Sequence, residues 1–261
     1  MCPGRDVGIE TMVARPERRA YGMGLGIMLL DDVYPGFPGD VRNASGYPFP
    51  IQYEIVEGVD IYKLVRGEDK SACLPPLIRA AQHLERMGCR ALAAECGYFA
   101  YFQREVAASV SIPVFMSSLL QVPLAQQAVG PERVVGILMA NASYLTERHL
   151  EAAGIRPGSN YVVGDAMASR RCAEFDHLWT LELRTDPPRA DYARAEAEFV
   201  TVAAEFYHQH PNMGAMVLEC TGFPPFARAL QREIDIPLFS WGTLLDYAYS
   251  IAVHRDYYGH V

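Results

Sequence analysis

Short apolar runs alternate along the chain with longer segments whose apolar positions recur every three or four residues. The runs GLGIMLL (residues 24–30), CRALAAEC (89–96), IPVFMS (112–117), RVVGILMA (133–140), YVVGD (161–165), GAMVLEC (214–220) and IPLFSW (236–241) have the length and aliphatic content of buried strands. The segments LPPLIRAAQHLERMG (74–88), ASYLTERHLEAAG (142–154), ADYARAEAEFVTVAAEFYHQH (190–210) and TLLDYAYSIAVHR (243–255) read as helices. Pro75 or Pro76 falls in a first turn, and Gly88 and Gly154 stand where helices close. A further helix is expected from about Phe99. Strands alternating with helices predict an α/β fold with mainly parallel sheets.

The pattern also repeats. Shifting the chain by 124 residues lays Cys96 on Cys220, Phe99 on Phe223, Phe102 on Phe226, Arg104 on Arg228, Pro113 on Pro237 and Phe115 on Phe239. Eight of the 21 positions from Glu95 to Phe115 are identical without a gap, where about one or two would match by chance. The repeated unit is strand, cysteine turn, helix, strand. Two pseudo-symmetric α/β domains are therefore expected, one over residues 20–130 and one over 131–241, with a C-terminal helix in 242–261 packing back on the first. Ligands of open parallel sheets sit beyond the carboxyl ends of the strands. Both repeated cysteines lie at such ends, so a cleft between the domains would be approached by a thiol from each side.

Composition narrows the functional classes. The chain has 261 residues, half of them hydrophobic, with 21% charged and a net charge of −8. It has no Lys/Arg run or basic stripe, which argues against a nucleic-acid or anionic-membrane partner. No apolar stretch has the length of a signal sequence or membrane span, so a cytoplasmic protein is expected. Of six cysteines, Cys2, Cys73, Cys89 and Cys172 lack the repeated context. No CxxC or paired-histidine motif marks a metal site, and His208 to His210 read as a polar helix end. The spaced glycines of GMGLGIMLL precede a strand instead of opening a helix after one, the wrong place for a dinucleotide loop.

Two thiols are sufficient for one kind of chemistry. A thiol has a pKa near roughly 8.5, and a following helix N-terminus lowers it. One thiolate can remove a proton from a carbon while the opposite thiol returns one, without metal or organic cofactor. A substrate carboxylate needs donors: Thr221, the backbone N–H groups after each cysteine, Ser117 and Ser118 after PVFM, and Asn141 after VVGILMA are candidates. Asn141 also suits a helix N-cap. Asp40, in a Gly/Pro-rich loop, suits a cation or a turn. Glu95 and Glu219 alternate away from their cysteines and are expected to orient the turns.

The two halves and paired cysteines resemble the aspartate/glutamate racemase superfamily. That resemblance implies cofactor-independent proton transfer across an interdomain cleft, with Cys96 and Cys220 as the catalytic pair. Amino-acid racemases usually follow the first cysteine with Asn-Thr and the second with Thr-His. Here Gly97 and Tyr98 follow the first, and Thr221 and Gly222 the second. The segments YPGFPGDV (34–41), ECGYFAYFQ (95–103), PVFMSSLLQVP (113–123) and LECTGFPPF (218–226) are closer to the Alma-type dimethylsulfoniopropionate lyases of the same superfamily. The resemblance implies elimination of dimethyl sulfide from a small sulfonium carboxylate to leave acrylate, with Cys220 as base and Cys96 as second acid/base or orienting group. Tyr34, Tyr98, Phe99 and Phe223 would offer aromatic faces to the sulfonium. The alternatives are a racemase or epimerase using the same cysteines, and a two-lobed binding protein without catalysis. The expected partner is a small carboxylate, the expected assembly a homo-oligomer, and no cofactor is expected.

Overall fold

The computed structural model describes residues 11, 13–168, 171–255 and 257; Cys2 lies outside them, as do 256 and 258–261 of the expected C-terminal helix. Two four-stranded sheets, parallel throughout, form from the two halves of the chain. The first contains β1 (Leu25–Leu30), β2 (Ile51–Val56), β3 (Ala91–Ala94) and β4 (Val114–Phe115) in the order β2-β1-β3-β4. The second contains β5 (Val134–Met139), β6 (Tyr161–Asp165), β7 (Met213–Leu218) and β8 (Leu238–Phe239) in the equivalent order β6-β5-β7-β8.

The offset of 124 survives in the backbone hydrogen bonds. Leu92 N–H donates to Pro113 and Met216 N–H to Pro237. Glu95 N–H donates to Met28 and Glu219 N–H to Leu138, each extending a ladder by one residue. Phe99 N–H closes a turn on Cys96, and Phe223 N–H closes the same turn on Cys220, both at 3.1 Å. Sequence identity at these positions thus reflects one local structure built twice.

The helices are α1 (Leu74–Arg86), α2 (Gln103–Ser109), α3 (Val122–Val129), α4 (Glu147–Ala152), α5 (Ala173–Trp179), α6 (Tyr192–His208), α7 (Pro224–Glu233) and α8 (Trp241–Ala252). Strand alternation divides the first sheet between two cores. Leu25, Ile27, Ala91 and Ala93 face Trp241, Leu244, Leu245 and Ala248 of α8, while Met28, Leu30, Leu92 and Ala94 join the main core with α1. The spacing of the α8 residues is one helical stripe. In the second sheet, α6 buries Phe199 and Phe206, and α7 buries Phe226 and Leu230.

Several of the described elements differ from the pattern-based expectation, α3 among those that had no assignment. β2, IQYEIV, was not legible as a strand because it lies at a sheet edge, where most of its side chains are only partly covered. Residues 97–102 form a 3-10 helix before α2, so the turn after Cys96 is tighter than an α-helical start. α5 and the short 3-10 turn Leu181–Leu183 occupy a stretch that had no assignment. No helix among the described residues is long and apolar enough to cross a membrane.

Candidate active site

The carboxyl ends of β3 and β7 face each other across one cavity, and the two repeated cysteines line it together. The β1 loop supplies Asp32, Tyr34, Phe37 and Asp40, and the α5 region supplies Phe175, Trp179 and Arg184. Arg184 reaches across to the first half: its Nη2 lies 2.9 Å from Asp32 Oδ2, and its Nη1 donates to the Val33 carbonyl at 3.1 Å. A stretch of the second half is thereby held against the loop of the first.

Backbone geometry distinguishes the two cysteine turns. Cys96 has φ 121° and ψ 118° and is the only non-glycine residue with positive φ among those described. Such a conformation costs about 1–3 kcal/mol and persists only where the surroundings over-determine it. Here those surroundings are the ladder bond at Glu95 and the turn closed by Phe99. Cys220 shows no such departure, although it occupies the matching place in the repeat.

Both thiols are pushed well above the ordinary cysteine pKa, first by burial and then by the nearby Glu219 carboxyl. The backbone N–H of Tyr98 opposes this at Cys96, and that of Gly222 at Cys220. These donors are again related by the offset of 124. The lowering expected from a following helix is therefore present in kind, as a backbone N–H two residues on, but desolvation outweighs it. Burial therefore favours the thiol over the thiolate at both cysteines.

The carboxyl groups of the site fall into two sets. Glu95 is fully engaged: Oε1 accepts from Tyr34 at 2.6 Å, and Oε2 accepts from Leu30 N–H and Arg42 Nη2, both at 3.0 Å. Arg42 also lies 4.1 Å over the Tyr34 ring. Asp32 is paired with Arg184. By contrast, burial raises Asp40 and Glu219 each to about 8. Asp40 accepts from Arg42 N–H at 2.9 Å, whereas Glu219 forms no side-chain hydrogen bond among the described residues, and its Oε1 is buried without a partner. Among the described residues, Arg184 is the only Lys or Arg lining the cavity, and Asp32 already pairs it.

No family model matches the sequence. The chain is 26% identical over 226 residues to a dimethylsulfoniopropionate lyase of Durusdinium sp. clade D, covering 82% of this chain and 70% of that protein. It is 26% identical over 224 residues to dimethylsulfoniopropionate lyase 3 of Emiliania huxleyi, covering 82% of this chain and 56% of that one. The chain thus spans little more than half the length of the Emiliania relative. Among solved structures, an aspartate racemase homologue from Pyrococcus horikoshii aligns with a TM-score of 0.54 at 14% identity, covering 87% of this chain and 98% of its own. Glutamate racemase RacE1 from Bacillus anthracis aligns with a TM-score of 0.54 at 13% identity, covering 88% and 80%. A point variant of arylmalonate decarboxylase does so with 0.54 at 15%, covering 87% and 92%. The fold is that of the aspartate/glutamate racemases, and the curated homologues are dimethylsulfoniopropionate lyases.

Within this racemase fold, the residues singled out from sequence divide clearly. Cys96, Cys220, Tyr34, Asp40, Tyr98 and Thr221 line the cavity. Phe99, Phe223, Ser117, Ser118 and Asn141 do not. Phe99 is fully buried in the core, and Phe223 packs on Phe199 and Phe175 at centroid distances of 4.6 and 5.1 Å. Ser117 caps the turn at Leu119 N–H, and Ser118 donates to the Leu218 carbonyl at 3.0 Å, tying the two halves together. Asn141 caps Ser143, and its carbonyl accepts from Tyr98 Oη. These five support the walls from behind.

Glu95 and Glu219, expected only to orient the turns, line the cavity as well. At Glu95 the positive φ of the following Cys96 breaks the simple alternation on which that expectation rested. Phe37, Phe175, Trp179 and Arg184 were not found from sequence. Phe37 lies in the quoted YPGF segment beside Tyr34, and Trp179 is one of only two tryptophans, but neither falls within the repeat.

Proposed function

We propose that this chain is a cofactor-independent lyase that removes the proton beside a small carboxylate and expels dimethyl sulfide from dimethylsulfoniopropionate. On this reading the two sheets with their helices act as two lobes, roughly residues 20–130 and 131–241, and the reaction takes place between them. The observation that carries it is the composition of the cavity. Two thiols face a space walled by Tyr34, Phe37, Phe175 and Trp179 and by carboxyl groups, with no uncommitted cation among the described residues. Such a wall favours a soft cation: each aromatic face is worth roughly 0.5–2 kcal/mol to it, and an ionised Asp40 would add to the attraction. The homology to dimethylsulfoniopropionate lyases supports the same substrate.

In this scheme Cys220, as thiolate, takes the proton from the carbon beside the carboxylate. Arrival of a cationic substrate offsets the burial that holds the thiol protonated. The electron pair left on carbon forms the C=C bond of acrylate while the C–S bond breaks with its pair on sulfur, releasing neutral dimethyl sulfide. The proton taken from carbon restores Cys220 as the resting thiol, and the proton that the thiol lost on substrate binding is the one released to water. Cys96 on the opposite side orients the substrate or exchanges a second proton. Thr221 and the N–H groups of the two turns hold the carboxylate.

The presence of two thiols in one cavity also favours a second reading, racemisation or epimerisation, in which the carbanion is reprotonated from the opposite face. Proton NMR with dimethylsulfoniopropionate in deuterium oxide tests both. Acrylate and dimethyl sulfide are expected. Deuterium incorporation or inversion in a chiral carboxylate without elimination would replace the lyase reading with the second one.

A further inference from the structure

The repeat places a glutamate before each cysteine, yet the two have opposite surroundings. Glu95 is held by Tyr34, Arg42 and the Leu30 N–H. Glu219 is 1% exposed, lines the cavity, and its Oε1 is buried with no hydrogen-bond partner among the described residues. Its position is also unusually confined. A Cβ on Gly97 would fall 1.7 Å from Glu219 Oε1 and 2.3 Å from its Cδ. The carboxyl therefore rests directly on the backbone that follows Cys96, on the far side from its own strand. Its main chain is fixed in turn, because the Glu219 carbonyl accepts from Trp241 Nε1 at 2.6 Å and from Ser118 Oγ at 3.3 Å.

A buried carboxyl group without partners is costly, and folding alone offers no reason to retain it. The titratable groups within reach of its charge are Cys96 and Tyr98 from the first half and Cys220 on its own turn, all acids, while Asp32, Asp40, Glu95 and Arg184 line the same cavity, Arg184 paired with Asp32. Among the described residues, burial acts on its carboxyl with no cation countering it. An ionised Glu219 would also oppose formation of a thiolate at either cysteine, since it is the leading charged influence on both.

We propose that Glu219 enters the reaction as a neutral carboxylic acid whose O–H donates a hydrogen bond to the substrate carboxylate. The proposal rests on the carboxylate substrate argued above. Removing the neighbouring proton drives negative charge onto the carboxylate oxygens, so a donor fixed there strengthens its bond as the charge grows. Among the described residues the cavity has no free Lys or Arg for this task, and an acid kept neutral by burial supplies a donor without attracting a counter-ion. The duplication thus gave two glutamates, of which one became a structural ion pair and the other a substrate ligand.

Glu219→Gln and Glu219→Leu separate the possibilities. The amide keeps a donor of similar reach but cannot ionise; leucine keeps bulk and removes the donor. The expected loss in kcat for dimethylsulfoniopropionate elimination is on the order of tenfold for Gln and 10²–10³-fold for Leu. Acrylate binding, measured by NMR titration, should weaken in the wild type as pH rises through about 8. The Gln variant should lose that part of the profile and keep only the dependence from Asp40 and the thiols. Infrared difference spectra of wild type minus Gln variant should show the carbonyl band of a protonated acid at neutral pH, shifting when acrylate binds. Leu at wild-type activity, or Gln as inactive as Leu in a folded protein, overturns the donor role. If no sulfonium carboxylate is turned over, the substrate reading fails by itself, and the acrylate and infrared measurements still decide the role of Glu219. Absence of the acid band, or acrylate binding that is absent or unchanged in the Leu variant, overturns it.

Discussion

Gly97→Ala offers a quantitative check on the contact between the two halves. Gly97 follows Cys96 in the first half, and its α-carbon faces Glu219 of the second. The added methyl would lie 1.7 Å from Glu219 Oε1 and 3.0 Å from the Glu219 carbonyl oxygen. Side-chain rotation can relieve the first contact only by moving the carboxyl away from its place. The second involves backbone held by Trp241 and Ser118. Overpacking of this kind costs about 1–3 kcal/mol, which for a chain of this size lowers Tm by roughly 2–4 °C per kcal/mol. Glu219→Ala removes the obstructing carboxyl and leaves room for the methyl. In that background Gly97→Ala should cost under about 0.5 kcal/mol, giving a coupling of about 1–2 kcal/mol in a double-mutant cycle. Urea denaturation of the four proteins measures it. Equal costs of Gly97→Ala in both backgrounds would refute the packing of Glu219 on this turn. Activity gives a second readout, because the single variant should lose turnover through displacement of Glu219 and of the strained Cys96.

Three further outcomes are expected. Cys220→Ser should lower elimination by about 10²–10⁴-fold, because a hydroxyl is a far weaker acid than a thiol, while Cys96→Ser lowers it less; equal, complete losses in folded variants would rule out a single-base scheme. Asp40 and Glu219 both have folded-state pKa values raised to about 8, so the folded chain holds more protons than the unfolded one between about pH 4 and 8. Their contribution to stability is full below that window and lost as pH rises through it. Glu219→Gln should therefore gain stability relative to wild type with rising pH across the window, and a constant difference in thermal melts would contradict the assignment. Trp179→Leu should raise KM for the sulfonium substrate about 2–30-fold, the equivalent of roughly 0.5–2 kcal/mol of cation–π attraction, with little effect on acrylate binding; equal effects on both ligands would place the cation elsewhere.

The sequence alone determined the local units. The aliphatic runs located most strands, and the pattern of residues 243–255 located the final helix, which the structure places at Trp241–Ala252. The offset of 124 revealed a turn so specific that even its hydrogen bonds repeat. It also singled out Cys96 and Cys220, while Asp40 came from its loop, Thr221 from its place after a cysteine, and Tyr34 and Tyr98 from the family resemblance; all six meet at the cavity. These are short-range consequences: a strand end, a cysteine and a turn lie within a few residues of one another, and side-chain type reports them directly. What the tertiary structure decided was environment. Glu95 and Glu219 are the same residue in the same motif, but only Glu95 finds Arg42 and Tyr34, more than fifty residues away in the chain. Cys96 and Cys220 likewise match in sequence, and only Cys96 takes positive φ. Phe175, Trp179 and Arg184 join the site because a connecting stretch of the second half folds against the first. Burial, charge pairing and strain depend on which distant groups arrive at a point, and a repeat read along the chain carries no record of that arrival.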